Sequence, residues 1–413
     1  MASTTAPLSA QTARELLHAH GWIAARNESF RHLPPPALST WLDAAQTNDN
    51  PPSPGNGWTL QPWGTQQPMG EPGAQWLDSQ DSTQRAALFA DLTAPAASDA
   101  APFAWAHRAL CQGGLRLRVP ATAQTTWLQL QHAAQSVVEA PLLVLDVPDG
   151  AHCVLLETHT RGAVPTNTGL SQNLQVQVQL GKGAVLQHLR LVSPGAHCQL
   201  AHQVQVQLGP HARYQQALVA TGGRYHLQRT AVSLAGAHAN AHVGGLLLAA
   251  DNKLEQQVHT THQAPHTRSA TEALVLAGGK AHAVVNAHTH IAPGADEANV
   301  YQRLSGIPMG GQPRLVLRPH LEIEHDNVQA AHGATWGALP EDALFYARQR
   351  GLDERSARGL IIEGMASALL ARAFGNPQFI ESLDLAGLLH QAVAQHLSDD
   401  PTATTTQQEA AHG

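Results

Sequence analysis

Histidines and carboxylates at short, regular spacings are the residues of this chain best suited to chemistry. His259, His262 and His266 lie close enough together to suggest zinc ligands. However, Pro265 breaks any helix that would align the three rings, and no cysteine lies nearby. His282, His288 and His290 share one parity along an alternating segment. The other parity is Ala281, Ala283, Val285, Ala287, Thr289 and Ile291. In a strand, the small residues then face a core and the histidines face solvent, where two or three imidazoles could hold a metal ion. Glu322, Glu324 and Asp326 alternate likewise beside His320 and His325. Carboxylates on one poorly solvated face raise one another's pKa, and such clusters serve polysaccharide-cleaving β-solenoids. His332, ahead of Gly333-Ala334-Thr335, sits in a strand-and-turn context.

Other chemistries are excluded or left without residues. The sequence has no GxSxG elbow, no HExxH and no Walker A loop, so neither a hydrolase nor a self-contained ATPase is expected. A formal net charge of −7 over 413 residues argues against a nonspecific nucleic-acid binder. No apolar run approaches the roughly 20 residues of a membrane span. The three cysteines, Cys111, Cys153 and Cys198, form neither a disulfide framework nor a CxxC pair. With no leader-like N-terminal pattern, the expected location is cytoplasmic. The 26 histidines are the compositional outlier. Half-protonation near pH ~6.5 would more than cancel the negative charge, so solubility is expected to be poorest there.

The elements that would carry these residues follow from periodicity. Residues 1–110 read as an N-terminal helical region. Ser9 caps one helix and Gly21 ends it, a Pro- and Gly-rich loose connection covers 46–75, and further helices cover 82–92 and 102–110. From Gly113 the period becomes two, as in Leu174-Gln-Val-Gln-Val-Gln-Leu180 and Val204-Gln-Val-Gln-Leu208. Glycines at 183, 195, 209, 223 and 236 recur with gaps of 12, 14, 14 and 13 residues, and Gly-Ala-His recurs at 150, 195 and 236. A strand plus a turn per repeat over residues 111–340 predicts a mainly β fold with a solenoid core. The end rungs of a solenoid expose unpaired backbone; the flanking helical regions or a partner chain are expected to cover them. Residues 341–398 read as a C-terminal helical domain. Asp353 caps a helix with Ala357, Leu360, Ile361, Met365, Leu369 and Leu370 on its apolar side, and a second helix covers 377–396 with Phe379, Ile380, Leu383, Leu388 and Val393 available for packing. Residues 399–413 read as a disordered tail.

Several segments together resemble the SufD family of iron–sulfur cluster assembly subunits. They are Val258-His-Thr-Thr-His262, Pro265-His-Thr-Arg-Ser269, Pro319-His-Leu-Glu-Ile323, Asp326-Asn-Val328, His332-Gly-Ala-Thr335, Leu344-Phe-Tyr346 with Arg350-Gly351, and Ala357-Arg358, with a weaker match at 103–120. The resemblance implies a right-handed parallel β-helix flanked by helical regions. It also implies a non-catalytic scaffold that pairs with a SufB-like paralogue and docks a SufC-like ATPase through its C-terminal helices. In that reading His332 is an iron or cluster ligand at the paralogue interface. Glu322, Asp326, Thr335, Phe345, Tyr346 and Arg350 belong to interface segments. The iron or cluster is transient and shared with the paralogue, not held by this chain alone. Many relatives carry a cysteine where this chain has Ala330, so the soft sulfur donors would come from a partner. Two alternatives stand beside it: a carbohydrate-active β-helix enzyme using Glu322, Glu324 and Asp326, and a His-rich metal-binding module using His282, His288 and His290.

Overall fold

The structure, a computed structural model, describes residues 9–42, 57–62, 73–79, 81–90, 92, 99–165, 167–375 and 385–399. The chain forms a β-solenoid of two stacked sheets. The first runs β1 (Trp58–Pro62), β4 (Thr126–Ala133), β7 (His152–Thr160), β9 (Val185–Val192), β11 (Arg213–Thr221), β13 (Asn240–Ala250), β15 (Arg268–Gly278), β17 (Ala298–Pro308) and β19 (Val328–Trp336). The second runs from β2 (Gly73–Asp78) through β3 (Gly113–Arg118), β6 (Leu142–Val147), β8 (Ser171–Leu180), β10 (Gln199–Leu208), β12 (Tyr225–Leu234), β14 (Lys253–His262) and β16 (His282–Ile291) to β18 (Arg314–Ile323). Short β5 (Val138–Glu139) pairs beside β8. Pairing from β3 and β4 onward is parallel, and residues one rung apart align without slippage, as in Val176↔Val204 and Val204↔Thr230.

The alternating sequence explains the lumen. Leu174, Val176, Val178 and Leu180 of β8 pack inside with Val204, Val206 and Leu208 of β10 and with Leu186 and Tyr214 of the opposite sheet. The intervening glutamines face out and line up as Gln175↔Gln203, Gln177↔Gln205 and Gln179↔Gln207. A one-residue slip would put every glutamine inside, so pattern and register enforce each other.

The helices lie against the sheet faces, which corrects the expectation that they cover the solenoid ends. α6 (Glu354–Phe374) and α7 (Leu385–Asp399) bury Ile362, Leu369, Leu370, Phe374, Val393 and Leu397 against Leu156, Leu189, Val219, Leu246 and Leu274 on the outer face of the first sheet. The reason is legible in Gly244-Gly245-Leu246-Leu247-Leu248-Ala249, which is apolar at both parities and therefore buried on both faces. On the second sheet, Ile23, Phe30, Leu33, Trp41 and Phe103 cover Ala201, Tyr225, Leu227 and Val284. They come from the segment after α1 (Ala10–His20), from α2 (Ser39–Leu42) and from α4 (Ala101–Leu110).

Ser9 caps α1 by accepting from the Thr12 amide, and Asp81 caps α3 (Ser82–Leu88), which ends earlier than its periodicity suggests. The stretch 46–75 is not simply a loose connection. β1 and the start of β2 lie in it and pair antiparallel with β4 and β3, closing the first rung. A lone strand of this kind has little periodicity of its own and is fixed by the edge it covers. The three Gly-Ala-His segments are not equivalent turns. Gly150 itself takes positive φ and His152 opens β7, whereas His238 is the left-handed residue after Gly236. Of the α6 positions read as apolar, Leu360 is exposed. Phe379, Ile380 and Leu383, the side chain of Leu388, and the tail from residue 400 lie outside the described residues.

Candidate functional site

The solenoid ends at β18 and β19, each paired on one side only, with β16 and β17. Among the described residues no strand continues either sheet. Tyr301, Ile323 and Trp336 are exposed at this end. An unpaired edge with large apolar side chains is the kind of surface another chain completes.

His332 sits on this edge. It aligns with Gln302, which aligns with Thr271, Val243, Gln216 and His188 down the first sheet. Gln302 is buried and its amide donates to Thr289 Oγ1 at 2.8 Å. His332 therefore continues the inward-facing column, yet is exposed because no further rung lies over it. Ala330 occupies the neighbouring inward position, over Val300.

The other expected residues divide into three groups. Glu322 on β18 faces His288 Nε2 at 3.3 Å, and Glu324 faces His290 Nε2 at 3.3 Å. Atoms of His290, Glu322 and Glu324 lie within 4.8 Å of one another. β18 stops at Ile323, so Glu324 and Asp326 leave the strand, and Asp326 stands outside that group. This corrects the picture of three carboxylates on one strand face. The three histidines 282, 288 and 290 keep the expected outward parity. Each of the last two meets a carboxylate of the next rung. Thr335 approaches Ser305 Oγ at 3.2 Å on the same edge as His332. Phe345, Tyr346 and Arg350 belong to α5 (Glu341–Gln349) and its C-cap. The two rings are exposed, and the Arg350 guanidinium lies 4.2 Å over Tyr346.

Two hollows lie elsewhere. A groove of about 400 Å³ between α6 and α7 is lined by Leu352, Leu360, Val393 and Leu397, with Arg355, Glu363 and His390 at its rim. A second hollow of about 330 Å³ lies between the outer face of the second sheet and Glu28, Ser29 and Asp99, and carries Arg229, Arg318, His259, His288 and His320. His259 belongs to this hollow. His262 faces the lumen, where its ring bonds Thr267 and Ser269, and His266 stacks on His238 in a turn. The sequence cluster 259–262–266 is thus dispersed.

The cysteines are free and buried. Burial pushes the Cys111 thiol up to about 11 and Cys153 to about 12, which disfavours the thiolate needed to ligate iron.

Sequence reading missed a polar cluster in the lumen. Glu157 is fully buried and takes His159 Nε2 at 2.7 Å, His188 Nε2 at 2.8 Å and His202 Nε2 at 3.1 Å, with Arg190 Nε at 3.7 Å. Burial alone would raise its pKa, but His202, Arg190 and the hydrogen bonds hold it well below the usual carboxylate range. The signal was present: Leu155, Glu157 and His159, and likewise Leu186, His188 and Arg190, occupy the inward parity, where an ionisable side chain must find a partner.

The family described as "SUF system FeS cluster assembly, SufBD core domain" matches residues 128–365. The chain is 27% identical over 270 residues to an iron–sulfur cluster assembly SufBD family protein of Synechocystis, covering 62% of this chain and 57% of that one. It is 24% identical over 236 residues to the iron–sulfur cluster assembly protein SufD of Escherichia coli, covering 54% and 53%. A SufBD family protein of Mycobacterium tuberculosis is 28% identical over 181 residues, covering 42% and 45%. The matches span about half the length of these relatives.

Proposed function

We propose, from the premise that this chain belongs to the SufBD core-domain family of the SUF iron–sulfur cluster assembly system, that it acts as a non-catalytic scaffold subunit. It pairs with a SufB-like paralogue through the open rung of β18 and β19. The observation that carries this reading is the unpaired edge bearing His332, an imidazole exposed where the inward column ends. Imidazole suits iron, and thiolates suit clusters. With Ala330 beside it and its own thiols buried, this chain offers nitrogen while the paralogue supplies sulfur. Iron or the nascent cluster is cargo here, held transiently across the interface. Ile323, Trp336 and Tyr301 supply apolar contact, and Glu322, Asp326 and Thr335 belong to the same end of the solenoid.

The C-terminal helices dock a SufC-like ATPase. The groove between α6 and α7 and the exposed Phe345, Tyr346 and Leu360 support this assignment. The test is co-expression with SufB-like and SufC-like proteins, followed by mass-resolved gel filtration. One copy of this chain with one SufB-like and two SufC-like chains is expected. Elution of the chain alone, or only with itself, would overturn the pairing.

A further inference from the structure

The lumen cluster is more than the scaffold reading requires. A buried carboxylate with its counter-ions is costly to desolvate and can often be replaced by apolar side chains without loss of stability. The neighbouring inward positions on the same strands, Leu155 and Leu186, are apolar. A costly ionic cluster set among apolar neighbours on its own strands therefore marks a candidate site.

Its donor set is that of a metal centre. One ligand atom each from Glu157, His159 and His202 lies within 4.8 Å of the other two. Glu157 Oε1 is 2.7 Å from His159 Nε2 and 3.1 Å from His202 Nε2. Ligands at about 2.0–2.2 Å from a zinc-like ion stand roughly 3 Å from one another, so these separations suit adjacent ligands with little movement. Two imidazoles and one carboxylate are a borderline set, suited to Fe²⁺ or Zn²⁺. The second carboxylate oxygen is held by His188, which fixes the carboxylate plane and is itself positioned near Tyr214 Oη at 3.3 Å. His159 Nδ1 has no hydrogen-bond partner, and its side chain, 7% exposed, is the most accessible of the three.

We propose that Glu157, His159 and His202 form a resident site for one divalent transition-metal ion, held inside the solenoid by this chain alone. Arg190 is the built-in competitor. Its Nη2 donates to His202 Nδ1 at 2.7 Å and to Gln228 Oε1 at 2.8 Å. When His202 Nε2 turns its lone pair to a metal, Nδ1 carries the proton, and Arg190 must withdraw toward Gln228. Because Nδ1 now accepts from Arg190, the ring proton sits on Nε2; it moves to Nδ1 when Nε2 takes the metal, so binding at this residue is a tautomer change with no net loss. Guanidinium and metal are alternative cations for one carboxylate. This inference does not depend on pairing with a paralogue.

The experiment uses the full chain, purified without a polyhistidine tag, with Co²⁺ as an optical probe and Zn²⁺ as its competitor. One EDTA-resistant Co²⁺ per chain is expected, with visible ligand-field absorption that Zn²⁺ abolishes. Glu157→Gln and His159→Asn should lose the absorption. His159 lies at the cluster's edge, so the second variant keeps the test valid if the first fails to fold. Glu322→Gln, in the surface group, should retain the absorption. Arg190→Gln should tighten Co²⁺ binding by at least about tenfold, since a nearby cation is removed, a gain that a purely structural arginine would not produce. Absence of visible absorption in the wild type, its survival in His159→Asn, or its loss in Glu322→Gln would each overturn the site.

Discussion

His332 on β19 lies beside Gln302 on β17 in parallel register, and Gln302 is tied to the opposite sheet through Thr289 Oγ1 at 2.8 Å and the His320 carbonyl at 3.2 Å. The exposed imidazole thus rests on a braced, buried amide. Its backbone position is set by the rung beneath, while its ring is exposed.

Replacing His332 with Ala should therefore leave folding almost unchanged, within about 0.5 kcal/mol, because the side chain is exposed. Assembly with the paralogue should survive, and cluster formation in vivo should fall. Thermal melts, co-purification and the activity of a cluster-dependent reporter enzyme check the three parts. Undiminished cluster delivery would remove His332 from the ligand role.

Leu360 projects from α6 with 58% of its surface exposed and lines the groove between α6 and α7. Leu360→Asp should change stability by no more than about 0.5 kcal/mol but weaken ATPase docking at least tenfold in a titration of this chain with a SufC-like protein. Unaltered affinity would place the docking surface elsewhere.

Stability should peak near neutral pH. Burial pushes His107 and His226 down to about 3 and His262 to about 4, against about 6.5 in the unfolded chain. Between those values the unfolded state binds more protons, so stability falls as pH drops below about 6.5. Burial raises Glu139 to about 7 and Glu255 to about 8. Their contribution is full below the unfolded carboxylate value and is lost as pH rises through 7 to 8. Melting temperatures from pH 4 to 9 should climb to about 6.5 and decline gently above it. A profile flat below 6.5 would mean that these histidines are hydrated. The same burial revises the solubility expectation: these histidines gain no charge in the mid-six range, so the charge balance reverses at lower pH than composition implies.

At the turn residue Gly236 an added Cβ would run into the backbone of Gly209 and Pro210. Gly236→Ala should cost about 3 kcal/mol, the upper range for overpacking against backbone. Gly333→Ala, with nothing within 4 Å, should be nearly neutral. Urea unfolding of the pair measures the contrast, and equal midpoints would contradict the packing.

By itself the sequence determined the mainly β fold and the inward face of its strands. Alternation such as Leu174-Gln-Val-Gln-Val-Gln-Leu180 admits one inward face, and that choice is local. It also determined the caps at Ser9 and Asp353, because a cap is a bond within three residues. The order of motifs from Val258 to Ala357 carried the family. What the sequence left undecided depends on contacts between rungs or across sheets. The helices lie on the sheet faces because outward leucines on separate strands add up to one apolar surface, of which Leu246-Leu247-Leu248 shows only one strand's share. β1 and β2 are strands because the first rung offers them an edge. Asp326 parts from Glu322 and Glu324 because the strand stops at Ile323. Glu157, His159, His188 and His202 converge from three strands and two sheets, and only closing the solenoid brings their atoms within hydrogen-bonding distance.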